Sequence, residues 1–195
     1  LKKSITLRGY NVSNFDDVKI YENTLVRFPL PNHKEIKNDI LDNLTIGEPI
    51  TSDKGNSIIK TDYHLKKKEK SKWFEILEKS LIRYFHPQIV KILNVKEFEI
   101  EKAWYQQYEF RNSHEWHWHG DCNMIAIYFL ELPYPEHRTQ FINKFKDPAE
   151  KIHYEAEEGD IIFTNSLMLH QSPVISYKHE RKTVISLNYI IKESN

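Results

Sequence analysis

The sequence predicts a mainly β domain with some helix: a double-sheet barrel covered by helices that precede it in the chain. Three observations carry this. The hydrophobic period is helical through much of the first half and changes to two from Glu97 onward. The second half holds many short apolar runs separated by turn residues, the pattern of two-sheet and closed β architectures. One of those runs, Met124 to Leu132, is apolar almost without a break, as in a strand buried on both faces.

The elements follow in order. Val18 to Pro31, with Ile20, Tyr21, Leu25, Val26 and Phe28, reads as an extended opening segment ended by Pro29 and Pro31. Ile36, Ile40, Leu41 and Leu44 recur at helical spacing behind Asn32, a residue suited to capping. Gly47 to Asn56 is polar and reads as loop. From Ser71 a second helix places Trp73, Phe74, Leu77, Leu81 and Phe85 on one face; Pro87 should interrupt it, with Ile89 to Leu93 forming another short helix. From Glu97, Phe98, Ile100, Trp104 and Tyr105 to Phe110 suggest one long strand leading to a histidine cluster. Met124 to Leu132 closes at Pro133, and Thr139 to Phe145 ends at Asp147-Pro148. Glu157-Glu158-Gly159-Asp160 is a turn before the strand Ile161-Ile162-Phe163. Met168 to Val174 and Thr183 to Ile191 complete the set. No repeat or linker divides the chain, so residues 1–195 read as one domain, with a helical and extended lead-in over 1–96 and a β core over 97–192.

Composition narrows the class. With 39% hydrophobic and 29% charged residues the chain reads as globular. Lys+Arg and Asp+Glu are equal at 28 each, so no overall field points to nucleic acid or anionic lipid. Lys66-Lys67-Lys68-Glu69-Lys70 is the one basic cluster and reads as a solvated segment. The single Cys122 forbids an internal disulfide and fits a reducing compartment. No apolar run approaches membrane-spanning length. The start carries no signal-type apolar region, so the expected location is cytoplasmic.

The chemistry sits in His119-Gly120-Asp121 and, far downstream, His170. Two neutral imidazoles and one carboxylate on one side of a metal leave the opposite positions open, the arrangement of non-haem Fe(II) oxygenases. Residues at i, i+2 and i+4 of a strand share a face, so His117, His119 and Asp121 should point together. The expected ligands are His119, Asp121 and His170, with His117 as the alternate. A His117, His119 and His170 set would suit zinc or a three-histidine iron site, in a cupin-like protein that uses no 2-oxo acid. His114 reads as a solvated loop residue and Cys122 as a packed thiol. In Arg181-Lys182-Thr183, Arg181 and Thr183 share a strand face and could grip one carboxylate, while Lys182 reads as a surface residue.

Gly159-Asp160-Ile161-Ile162-Phe163 through Leu169-His170-Gln171-Ser172, then Glu180-Arg181-Lys182-Thr183-Val184-Ile185-Ser186-Leu187-Asn188, resembles the C-terminal signature of the Fe(II)/2-oxoglutarate-dependent oxygenases. Phe145-Lys146-Asp147-Pro148 and Tyr128-Phe129-Leu130-Glu131-Leu132-Pro133 are similar to a branch of small oxygenases from phages and marine bacteria, related to prolyl hydroxylases. The likeness covers about residues 98 to 190. It implies a double-stranded β-helix (jelly-roll) with Fe(II) on His119, Asp121 and His170. It also implies 2-oxoglutarate held by Arg181 and Thr183, with help from tyrosines among which Tyr108, Tyr128 and Tyr105 are candidates. That branch often carries His-x-His as its first motif, a form that His117-Trp118-His119 also fits. The implied reaction consumes O2 and 2-oxoglutarate, releases succinate and CO2, and hydroxylates a C–H bond of a peptide, protein or small molecule. The aromatic lead-in (Trp104, Tyr105, Tyr108, Trp116, Trp118) could line a groove but reads first as barrel packing.

Overall fold

The computed structural model describes residues 6–7, 10–11, 19–21, 25–44, 49–51, 58–65, 71–95, 97–144 and 147–192. The protein is mainly β with few helices. Four strands come first: β1 (Thr6–Leu7), β2 (Tyr10–Asn11), β3 (Lys19–Tyr21) and β4 (Leu25–Pro29). Helix α1 (His33–Asp42) follows, then strands β5 (Pro49–Thr51) and β6 (Ile58–Thr61). Helices α2 (Lys72–Ser80) and α3 (His86–Leu93) precede the long β7 (Glu97–Tyr108) and short β8 (His114–His117). The remaining strands are β9 (Met124–Glu131), β10 (Gln140–Asn143), β11 (Glu150–Lys151), β12 (Asp160–Asn165), β13 (Leu169–Ser172) and β14 (Lys182–Lys192).

Eight strands form one sheet in the order β3-β4-β12-β9-β14-β7-β6-β5, and four form a second in the order β11-β10-β13-β8. All of the pairings in both sheets are antiparallel. The middle of the large sheet is buried on both faces, which explains the unbroken apolar run of β9. Ala126, Tyr128 and Leu130 pack with Trp73, Leu77, Phe85 and Ile89 of the helices. Ile127 and Phe129 point the other way, toward Phe141, Tyr154 and Met168. Period two thus sorts one strand into two apolar layers.

Asp62 seats the helices: one carboxylate oxygen accepts from Trp73 Nε1 at 3.1 Å, the other from the Tyr105 backbone N–H at 3.0 Å. This ties α2 to β7 in the core, where an unpaired carboxylate would be costly.

Three local expectations change. Pro87 does not break the helix; residues Leu81–Phe85 form a π turn between α2 and α3. The wider turn ahead of Pro87 accommodates a ring and a missing N–H that a regular α-helix would not. Asn32 sits at the N-cap of α1 without capping it, and its amide donates to Ser80 Oγ at 2.9 Å instead. The stretch expected as loop from Gly47 to Asn56 contains β5, an edge strand whose first residue is Pro49, a position where no ladder donor is needed. The Glu157–Asp160 turn forms as expected. Gly159 has φ +95°, and a Cβ there would lie 2.8 Å from His33 Cγ, so only glycine fits. The basic cluster Lys66–Lys70 and Phe145-Lys146 lie outside the described residues.

Candidate metal centre

Strands β13 and β8 pair antiparallel with His170 opposite His117, which sets their rings side by side, centroids 4.2 Å apart. The strand ends at His117, so strand alternation does not carry on to Asp121. The chain turns, is pinned by the His119 N–H on the Ser166 carbonyl at 2.9 Å, and brings His119 back to the pair. Its ring lies 5.2 Å from that of His170 and stacks on Trp104 at 5.7 Å. Ligand-capable atoms of His117, His119 and His170 all lie within 4.8 Å of one another.

The hydrogen bonds decide which nitrogens face inward. His117 Nδ1 meets the Glu115 carbonyl at 2.7 Å, and His170 Nδ1 meets the Met168 carbonyl at 2.8 Å. His119 Nδ1 meets Asn188 Oδ1 at 2.7 Å. A carbonyl oxygen only accepts, so each Nδ1 carries the proton and each Nε2 keeps its lone pair. No hydrogen bond among the described residues falls on the three Nε2 atoms. Burial lowers the pKa of all three, that of His170 well below the ordinary value, and neighbouring imidazoles lower those of His117 and His170 further. Three neutral imidazoles with converging lone pairs are a donor set for a divalent metal ion.

Asp121 does not join this group. It is exposed, and its carboxylate accepts from Asn188 Nδ2 at 3.3 Å. That contact orients the Asn188 amide so that its oxygen faces His119, and Asp121 thereby acts on His119 through Asn188. Asn188 was not anticipated from the sequence. Cys122 is partly buried, with its thiol pushed up to about 11 by burial and the charges of Asp121 and Glu101. It too stands outside the trio.

The histidines line a narrow cavity between the sheets, together with Gln106, Tyr108, His114, Thr139 and Ser172. Arg181 and Thr183 do not line it. Arg181 donates to both oxygens of Glu131, at 2.8 and 2.7 Å, and the Thr183 hydroxyl binds the same carboxylate. The cation that faces inward is Lys182, which the sequence had placed on the surface. It is fully buried, donates from Nζ to Ser172 Oγ at 2.9 Å, and lies over the rings of Tyr108 and Phe129. No carboxylate among the described residues pairs with it, and burial alone pulls its ammonium down to about 7. Tyr108, one of the candidate tyrosines, lines the cavity. Tyr128 points instead into the helical layer, where its hydroxyl meets His33 Nδ1 at 2.6 Å. Tyr105 faces the same layer, with its ring edge-on to Trp73. His114, expected in solvent, lies on β8 and in the cavity.

No family model and no curated protein sequence matches the chain. Solved structures do. An oxidoreductase of the 2OG-Fe(II) oxygenase family from Burkholderia pseudomallei superposes with TM-score 0.64 at 12% identity, covering 87% of this chain and 86% of that one. The epimerase SnoN from nogalamycin biosynthesis, in complex with Fe3+, alpha ketoglutarate and nogalamycin RO, gives 0.63 at 12% identity, over 86% and 79%. A Pseudomonas putida prolyl-4-hydroxylase gives 0.59 at 8% identity, over 87% and 94%. The chain has the fold of the 2OG-Fe(II) oxygenases.

Proposed function

We propose that the protein is an Fe(II)- and 2-oxoglutarate-dependent oxygenase built on a double-stranded β-helix, with iron held by His117, His119 and His170. The observation that carries this reading is the common tautomer of the three histidines, each with Nδ1 fixed by a carbonyl-type oxygen and Nε2 turned to one point. In this assignment His117 is a ligand, and Asp121 positions His119 through Asn188.

Lys182, rather than Arg181, binds the far carboxylate of 2-oxoglutarate. A buried ammonium held by one hydroxyl and two aromatic faces is a cation in want of an anion, and it reaches Ser172 and lies over Tyr108, two residues of the cavity wall. Arg181 already has its carboxylate in Glu131. Iron with bound 2-oxoglutarate supplies O2 activation coupled to oxidative decarboxylation, giving succinate, CO2 and an oxidised substrate, with C–H hydroxylation the expected outcome. The chain's own part is to keep three imidazoles neutral, fix their orientation, anchor the cosubstrate at Lys182 and exclude water with the walls of Trp104, Ile127 and Val184. A cupin-like metal protein that uses no 2-oxo acid is the second reading, favoured by the all-nitrogen ligand set. The uncompensated Lys182 counts against it.

The test is the visible spectrum of the metal-free protein given Fe(II) and 2-oxoglutarate under nitrogen, since bidentate coordination of the 2-oxo acid gives a weak charge-transfer band. The band should be absent in His170→Ala, weakened in Lys182→Ala and unchanged in Arg181→Ala. Iron binding without the band would favour the second reading.

A further inference from the structure

Four histidines crowd this cavity, and one is wired differently from the rest. His114 stacks on His117 with centroids 3.9 Å apart and rings 26° from parallel. Its Nδ1 faces no carbonyl; it faces the side-chain amide of Gln106, Nε2 to Nδ1 3.4 Å. Ser186 Oγ donates to Gln106 Oε1 at 3.1 Å, which turns the NH2 of Gln106 toward His114. An NH2 donates, so His114 Nδ1 accepts, and in a neutral ring the proton must then sit on Nε2. His114 therefore shows an N–H donor where the other three show lone pairs.

Its place gives that donor a task. His114 stacks on one member of the trio and is opposite Ser172, which holds Lys182, in the β8–β13 register, so the ring joins the metal-binding trio to the residue that holds the buried ammonium. We propose that His114 is a positioning residue for the 2-oxo acid: the Ser186–Gln106–His114 chain fixes its Nε2–H as a hydrogen-bond donor to an oxygen of the bound cosubstrate, and His114 is no metal ligand. This rests on the function proposed above.

Two measurements on protein loaded with Zn(II), which allows no turnover, test it. Nitrogen-15 NMR of the histidine rings should find the proton on Nε2 in His114 and on Nδ1 in His117, His119 and His170; Nδ1 protonation of His114 overturns the proposal. Titration with 2-oxoglutarate should show binding weakened about ten- to a hundredfold in His114→Phe, which keeps the stacked ring but loses a hydrogen bond to a charged group. His114→Gln, which can donate, should recover most of it, and Zn(II) affinity should be unchanged in both. Equal 2-oxoglutarate affinity in His114→Phe and wild type overturns this proposal alone. Failure of the wild type to bind 2-oxoglutarate overturns the proposed function and this inference with it. A fall in Zn(II) affinity in both variants would make His114 part of the metal set and refute the donor assignment.

Discussion

Lys182→Met should make the protein more stable and less able to bind its cosubstrate. Methionine matches the length of lysine without the charge. Lowering an ammonium from its ordinary 10.5 to about 7 corresponds to roughly 5 kcal/mol against the charged form. The folded state therefore binds fewer protons at this site than the unfolded state between pH 7 and 10.5. Stability contributed by this group rises with pH across that window, and the full penalty applies below pH 7. Against the gain stands the lost hydrogen bond to Ser172, worth about 1–2 kcal/mol, with Tyr108 remaining as a partner for that hydroxyl. The net expectation is a variant more stable by roughly 2–4 kcal/mol at pH 6, its advantage shrinking as pH rises past 7. Urea denaturation of the metal-free protein at pH 6, 7.5 and 9 measures this, with 2-oxoglutarate binding followed in parallel. A variant less stable by the same amount at every pH would mean that the lysine is compensated in the folded state, and the case for an anion site there would fall.

Acid should unfold the metal-free protein through its histidines. His114, His86 and His170 are held below the ordinary 6.5 by burial, the first two to about 3 and about 4, so the unfolded chain takes up protons first and stability is lost as pH falls from about 6.5. Circular dichroism against pH checks this, and a flat profile from 7 to 4 would contradict it. Asp121→Ala and Asn188→Ala should weaken metal binding about tenfold to a hundredfold, whereas His119→Ala should abolish it. A competition titration against a chromophoric chelator that found Asp121→Ala as damaging as His119→Ala would restore Asp121 as a direct ligand. Gly159→Ala should cost about 1–3 kcal/mol in thermal unfolding, because the left-handed φ and the His33 ring both oppose a Cβ. No loss would mean that the turn and His33 can shift together.

The histidines were legible in the sequence because three potential ligands in five residues, His117, His119 and Asp121, rarely arise by accident, and His170 stood alone in an apolar stretch. Their assignment was not. Placing Asp121 with His117 and His119 assumed a strand that continues to 121, and it stops at His117, so direction after that point depends on Ser166, a contact from the turn after β12. The reading of Lys182 as a surface residue missed the strand phase, where one residue of slip exchanges the faces. A usable signal was present: Lys182, Ser186 and Asn188 alternate with Ile185, Leu187 and Tyr189, and the polar row reaches Ser172, Gln106 and His119 while the apolar row packs on the helices. Polar residues on one face of a buried strand need partners there, so that face is the one turned toward other polar groups. The mainly β class and the extent of β9 were readable from period alone. The π turn before Pro87 was not, since Leu77, Leu81 and Phe85 keep i, i+4 spacing through it.

The most direct test of the central claim is a crystal structure of the protein soaked with Fe(II) and 2-oxoglutarate under nitrogen, with data collected at the iron edge. The structure predicts one anomalous peak bound by His117, His119 and His170, with 2-oxoglutarate reaching from it to Lys182. Iron bound by Asp121 in place of His117, or a cosubstrate carboxylate on Arg181, would contradict it.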